Sequence, residues 1–242
     1  AGIGVPDSDT PELLLKELET AIRKPENMRY GAFDGKVTLL NEISQWLKEN
    51  YNIDADPKSE IALVFGTKSG LSSIPSVLLN PNDTVLLPVP SYPDYIQGIA
   101  LAQAKYEEIE LKQENNYLLD YSDISEEVLR DAKLIFLNYP SNPIGAVATK
   151  EFYEETVKWA EENNIVVLQD HAYSDFYYKE GYSPAFMQTE GAKEVGIEFF
   201  SFSKNFSISG LRIGFAVGNK EIIRGLKEYN TIFHANIYGA IQ

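Results

Sequence analysis

Six short, almost wholly apolar runs constrain the fold of this chain more than any other feature. They are Ile61 to Phe65, Val85 to Leu87, Leu134 to Leu137, Ile165 to Leu168, Ile197 to Phe200 and Ile213 to Val217. A strand that is apolar at every position has to be covered on both faces. Runs of this kind predict a largely parallel sheet sandwiched between helices, whereas a half-exposed strand alternates apolar with polar. Helix-like segments separate most of the runs, as at Thr149 to Asn163. Leu39, Ile43, Trp46 and Leu47 form one helical stripe ahead of them. Leu14, Leu18 and Ile22 form another, after Asp9-Thr10-Pro11, which reads as a cap followed by a proline in the first turn. The loop between the last two runs is too short for a parallel crossover, so the strand from Ile213 is expected to run antiparallel to its neighbour.

Composition narrows the function. The 242 residues are 44% hydrophobic, enough for one large core. No stretch of about 18 apolar residues reads as a membrane span. The opening residues lack the basic and apolar regions of a secretion signal, so a cytoplasmic location is expected. There is no cysteine, which excludes disulfides and thiolate chemistry, and the two histidines are not paired as zinc ligands, so no metal site is expected. A net charge of −15 disfavours nucleic acid and anionic lipid as partners. Any phosphate-bearing ligand needs a local positive site.

In open α/β sheets, ligands bind beyond the carboxyl ends of the strands. Five of the runs are followed there by polar or aromatic clusters: Gly66-Thr67-Lys68-Ser69-Gly70, Pro90-Ser91-Tyr92-Pro93, Asn138 to Gly145, Asp170-His171-Ala172-Tyr173, and Ser201-Phe202-Ser203-Lys204 with Gly210-Leu211-Arg212. Alone, each has an ordinary reading: a glycine turn, an Asn-Pro turn, an Asp helix cap, a packed tyrosine, a surface lysine. Together they match a ligand that combines a phosphate, an aromatic ring and an aldehyde. N–H groups at a helix start and an arginine suit the phosphate, an aromatic side chain the ring face, an aspartate a ring nitrogen, and a lysine amine the aldehyde.

The run Ser201-Phe202-Ser203-Lys204 through Gly210-Leu211-Arg212-Ile213-Gly214 resembles the lysine motif of class I/II aminotransferases, the fold-type-I enzymes that use pyridoxal 5'-phosphate (PLP). Asn142-Pro143-x-Gly145, Asp170-x-x-Tyr173, Tyr30-x-x-x-x-Gly35 and the opening Gly2-Ile3-Gly4-Val5-Pro6-Asp7 are similar to further motifs of that family, in the same order. The similarity runs through the whole chain, and is nearest to LL-diaminopimelate aminotransferase-like members, with aspartate aminotransferase-like members next. Lys68-Ser69 departs from the Lys-Glu expected in the nearest members.

The resemblance implies a three-layer α/β/α sandwich whose mostly parallel seven-stranded sheet has one antiparallel strand. It divides the chain into an N-terminal segment, 1–28, holding an arm and part of a small domain, and a large PLP-binding domain, 29–242. In that family the polypeptide continues beyond the region matching Tyr238 to Gln242 into a small domain carrying the arginine that grips the substrate carboxylate, and no residue of this chain takes that role, as in a fragment or a naturally shortened protein. Lys204 would link covalently to PLP and shuttle a proton, Asp170 would face the pyridine nitrogen, and Asn142 and Tyr173 would hold the ring's phenolic oxygen. Tyr92 would stack on the ring. Thr67, Lys68, Ser201, Ser203 and Arg212 would hold the phosphate, with Tyr30 reaching the phosphate of the other subunit of a homodimer. Gly4 and Asn142 would border the pocket for an amino acid or 2-oxo acid, and His171 has no catalytic role. The expected reaction is transamination. A C–S β-lyase and a truncated, non-catalytic PLP-binding module remain as alternatives.

Overall fold

The computed structural model describes Gly4, residues 6–179 and residues 181–242; Gly2, Ile3 and Val5 of the opening motif lie outside the described residues. Among these residues the strands are β1 (Ile61–Val64), β2 (Thr84–Val89), β3 (Lys105–Glu110), β4 (Ala132–Asn138), β5 (Val166–His171), β6 (Gly196–Ser201) and β7 (Gly214–Gly218). They form one sheet in the order β1-β7-β6-β5-β4-β2-β3. The β2–β3, β2–β4, β4–β5 and β5–β6 pairs are parallel. Strand β7 is antiparallel to both β1 and β6, as expected for its pairing with β6.

The helices are α1 (Glu12–Ile22), α2 (Val37–Tyr51), α3 (Thr67–Leu78), α4 (Asp94–Leu101), α5 (Glu126–Asp131), α6 (Lys150–Asn163), α7 (Ala192–Val195), α8 (Phe202–Asn205) and α9 (Lys220–Phe233). Unbroken apolar strands have two buried faces, and both are filled. On one face Ile61, Leu63, Ile135, Leu137, Phe200 and Phe215 pack with Leu40, Ile43 and Leu47 of α2 and with Phe152 and Tyr153 of α6. On the other, Ala62, Val64, Leu134, Phe136, Ile197 and Phe199 pack with α3, α4 and α9 through Leu71, Ile74, Ile99, Ile223 and Leu226. Each fully buried Leu, Ile or Phe contributes about 1.5–3 kcal/mol. The three-layer α/β/α sandwich follows from this alternation, and it is the observed fold.

Three readings from sequence need correction. Strand β3 (Lys-Tyr-Glu-Glu-Ile-Glu) is absent from the six apolar runs because it is an edge strand that buries only Ile109. The buried face of α2 is Leu40, Ile43, Leu47 and Tyr51, with Leu39 and Trp46 only partly covered. Thr10 does not cap α1, whose N-cap is Pro11 without a side-chain bond; its hydroxyl instead donates to the Ser207 carbonyl at 2.7 Å, tying the N-terminal segment to the loop after Lys204.

Helices α3 and α4 approach closely at Gly98, where an added Cβ would stand 2.8 Å from the Ser72 Cα and 2.9 Å from the Ser72 carbonyl oxygen. Backbone cannot rotate away as a side chain can. Gly98→Ala is therefore expected to cost about 1–3 kcal/mol in urea unfolding. Gly210→Ala, where the added carbon meets open space, is expected to stay within about 0.5 kcal/mol. Equal midpoints for the two variants would contradict the close packing of α3 on α4.

Candidate functional site

The sheet topology gathers the polar clusters at one edge. In the parallel strands Asn138, the last residue of β4, is in register with Asp170 near the end of β5. Ser201 ends β6 and is in register with Gly214, which is also opposite Val64 at the end of β1. Because β7 is reversed, the residue that leads toward it, Arg212, arrives at the same edge as the carboxyl ends of the other strands.

Asp170 is the centre of this edge and only 5% exposed. Its Oδ1 accepts the Ala172 N–H at 3.0 Å, and its Oδ2 accepts the Tyr95 hydroxyl at 2.7 Å. Burial pushes its carboxyl above the ordinary aspartate range, and these two donors pull against that shift. Burial and then the Asp170 charge push the Tyr95 phenol well above its ordinary range, so it remains a donor. No helix begins at Asp170, so the helix-cap reading does not apply.

A second chain of bonds positions Asn142 and Tyr173. Asn138 donates through Nδ2 to the Asp170 carbonyl at 2.9 Å, and its Oδ1 accepts the Asn142 N–H at 2.7 Å. The Asn142 side-chain amide reaches the Tyr173 hydroxyl at 3.4 Å. Burial, then the Asp170 charge, raises the Tyr173 phenol. Gly4 lies against it, so close that an added Cβ would stand 2.6 Å from the Tyr173 hydroxyl. The Lys204 ammonium donates to the Gly4 carbonyl.

The positive corner is built on α3. Its N-cap is Gly66 at φ 77°, left-handed backbone that glycine adopts without strain, and no side chain caps the helix. Thr67 and Lys68 are its first two residues, so their N–H groups and the helix dipole face outward. An added Cβ on Gly66 would stand 2.6 Å from Arg212 Nη2, which locates the guanidinium beside that helix start. The Lys68 ammonium is engaged elsewhere, 2.8 Å from Asp94. Ser201 accepts the Ser203 N–H at 3.1 Å, and both serines are buried. The Lys204 amine is held below the ordinary lysine range, first by burial and then by the Arg212 charge.

The Tyr92 ring meets the Tyr95 ring edge-on, with centroids 5.6 Å apart, and burial followed by a hydrogen bond to Asp94 raises its phenol. Tyr30 is not part of this cluster; it is 87% exposed on the surface. His171 points away from the edge, fully buried between Ser183 Oγ (2.7 Å) and Glu198 Oε1 (2.9 Å). The sequence reading gives no role to Tyr95, Asn138 or Glu198, although Asn138 opens one of its polar clusters. For Tyr95 the one signal is an aromatic three residues after Tyr92.

The profile of the family described as Aminotransferase class I and II matches residues 2–240. The chain belongs to the class I and II aminotransferases. It is 45% identical over its full length to the L-glutamine--4-(methylsulfanyl)-2-oxobutanoate aminotransferase of Bacillus subtilis, and spans 61% of that protein. It is 40% identical over 241 residues to the LL-diaminopimelate aminotransferase of Aquifex aeolicus, covering 100% of this chain and 62% of that one. Among solved structures it is similar to substrate-bound BacF of Bacillus subtilis, at 40% identity and a TM-score of 0.96, covering 99% of this chain and 61% of BacF.

The coupling of Lys204 to Arg212 is testable on the aminotransferase chain alone. Arg212→Gln removes one of the two causes of the depressed amine, so the Lys204 titration is expected to move to higher pH. Acetylation rates at Lys204, followed by mass spectrometry from pH 7 to 11, read this directly. An unchanged profile would contradict the coupling.

Proposed function

We propose that this chain is the cofactor-binding part of a cytoplasmic, homodimeric PLP-dependent aminotransferase that moves an amino group between an amino acid and a 2-oxo acid. The observation that carries this reading is the grouping of the Lys204 amine, the buried Asp170 carboxylate and the uncapped α3 start with Arg212 at one sheet edge. The donor set fits PLP part by part. The Thr67 and Lys68 N–H groups, the Ser201 and Ser203 hydroxyls and the Arg212 guanidinium suit a phosphate dianion, which the chain's overall acidity otherwise repels. Tyr92 suits the ring face, Asp170 the ring nitrogen, and Asn142 with Tyr173 the phenolic oxygen.

PLP, when bound, supplies a ring that withdraws electrons from the substrate carbon. The remaining work falls to the protein. Lys204 would supply the amine that holds the cofactor at its aldehyde carbon, and the same amine would move a proton at the substrate α-carbon. Its lowered pKa leaves a larger neutral fraction for both tasks. Asp170 holds a proton on the ring nitrogen through its negative charge. Asn142 and Tyr173 fix the ring's rotation, and Tyr92 shields its face from water. Gly4 and Asn142 border the substrate, with Gly4 leaving room beside Tyr173 that any side chain would fill.

Residues 1–28 form the arm and part of the small domain, and 29–242 the large domain, in this reading. The dimer is supported by exposed large apolar side chains, Met28, Tyr30, Phe33, Ile232 and Phe233, and the Tyr238 hydroxyl contacts the Met28 sulfur. Tyr30, being exposed, is free to reach a partner's phosphate.

Half-reaction spectroscopy tests the proposal. Amino acid added to the PLP-loaded protein without acceptor is expected to convert its spectrum to that of the pyridoxamine form and to release one equivalent of 2-oxo acid. Lys204→Ala and Asp170→Ala are expected to slow this by about 10²-fold or more while the protein stays folded. Multiple turnovers with ammonia release and no acceptor would identify a lyase instead. PLP binding without any spectral change on adding amino acids would identify a non-catalytic module.

A further inference from the structure

We propose that Tyr95 is a positioning residue for Asp170, fixing which lone pairs of the carboxylate face the cofactor's ring nitrogen and holding that carboxylate in its charged form. The inference rests on the PLP reading above and deepens it.

A carboxylate has two oxygens and about four lone-pair directions. In this chain one direction on each oxygen is taken by the protein: Oδ1 by the Ala172 N–H at 3.0 Å and Oδ2 by the Tyr95 hydroxyl at 2.7 Å. Two donors on different oxygens fix the plane of the group, where one donor leaves it free to turn. The Ala172 bond is local, two residues along the chain. The Tyr95 bond comes from helix α4 and is the one that ties Asp170 to a separate part of the fold.

The phenol is itself immobilised. Tyr95 is 2% exposed, its ring is stacked on Phe136 at 4.7 Å and 20°, and the Tyr92 ring meets it edge-on. Its backbone lies in the first turn of α4, a helix packed closely on α3. The titratable groups around Asp170 are Tyr95, Tyr92, Tyr173 and His171. Burial and the Asp170 charge both oppose ionisation of Tyr95, so the hydrogen stays on the phenol and points at the carboxylate. A buried charge is retained only where it is hydrogen-bonded, and the phenol supplies a bond that water cannot.

The same turn serves the rest of the site. Tyr92 stands at the ring face, and Asp94 pairs with Lys68 at the start of α3. Residues 92 to 95 thus tie the ring face, the nitrogen partner and the phosphate corner to one short segment. A shift of α4 would disturb all three together.

The test uses PLP labelled with 15N at the pyridine nitrogen, bound to the protein and observed by NMR. Tyr95→Phe keeps the ring and its stacking and deletes only the hydroxyl. Its 15N resonance is expected to move toward the unprotonated position, with PLP affinity down by about tenfold, the size of one charge-assisted hydrogen bond. Incorporating 3-fluorotyrosine at position 95 keeps the shape and strengthens the donor. It is expected to move the resonance the opposite way, and it decides the question even if Tyr95→Phe folds poorly. Parent-like resonances in both variants would overturn the role of Tyr95. Asp170→Asn separates the two levels: if it shifts the resonance and the Tyr95 variants do not, only this inference fails. If it leaves the resonance unmoved, the assignment of Asp170 to the ring nitrogen fails, and the role of Tyr95 falls with it.

Discussion

Asp170 carries its carboxylate at the end of β5 with almost no contact with bulk water. A charge in that position is unstable unless donors surround it, and the neighbouring elements supply them. Strand β4 holds the Asp170 backbone in place through Asn138, which bonds its main-chain carbonyl and also holds the Asn142 backbone. Helix α4 supports the carboxylate through Tyr95. The turn after β5 supplies the Ala172 N–H and carries Tyr173 onward toward Asn142. Removing any of these leaves the carboxylate less well held, and with it the groups whose placement it shares.

The reversal of β7 is the topological counterpart. In a fully parallel sheet the residue before a strand would lie at the amino edge, away from the ligand. Inserted antiparallel between β1 and β6, β7 begins at the carboxyl edge, so Arg212 and Lys204 flank one short excursion of chain. Arg212 then reaches the start of α3, where glycine at position 66 leaves space that any side chain would fill. One cation there faces exposed helix N–H groups and also disfavours a second positive charge on Lys204. The guanidinium that suits an anion thus adds to the burial that already favours a neutral Lys204 amine.

Much of this was legible in the sequence because doubly buried strands have to be largely apolar. Six of the strands announce themselves in that way; β3 does not, since an edge strand with Glu107, Glu108 and Glu110 facing outward buries only one side chain. The clusters at the strand ends were legible because polar residues directly after an apolar run stand out. Tyr95 and Asn138 were not, for two different reasons. Tyr95 sits among the apolar residues of α4 and looks like core until its hydroxyl is located. Asn138 ends β4 and opens the polar run to Gly145, where several polar residues compete for notice and only geometry shows which one bridges two strands. Thr10 misled because a threonine before a proline resembles a helix cap, while its actual bond crosses to Ser207, far away in sequence.

Borohydride reduction of the PLP-loaded protein, followed by peptide mapping, tests the central assignment most directly. The expected result is a single phosphopyridoxyl group on Lys204, within the peptide that contains Ser201 and Ser203. A modified lysine elsewhere, or no modified lysine in protein that has bound PLP, would contradict the placement of the cofactor at this sheet edge.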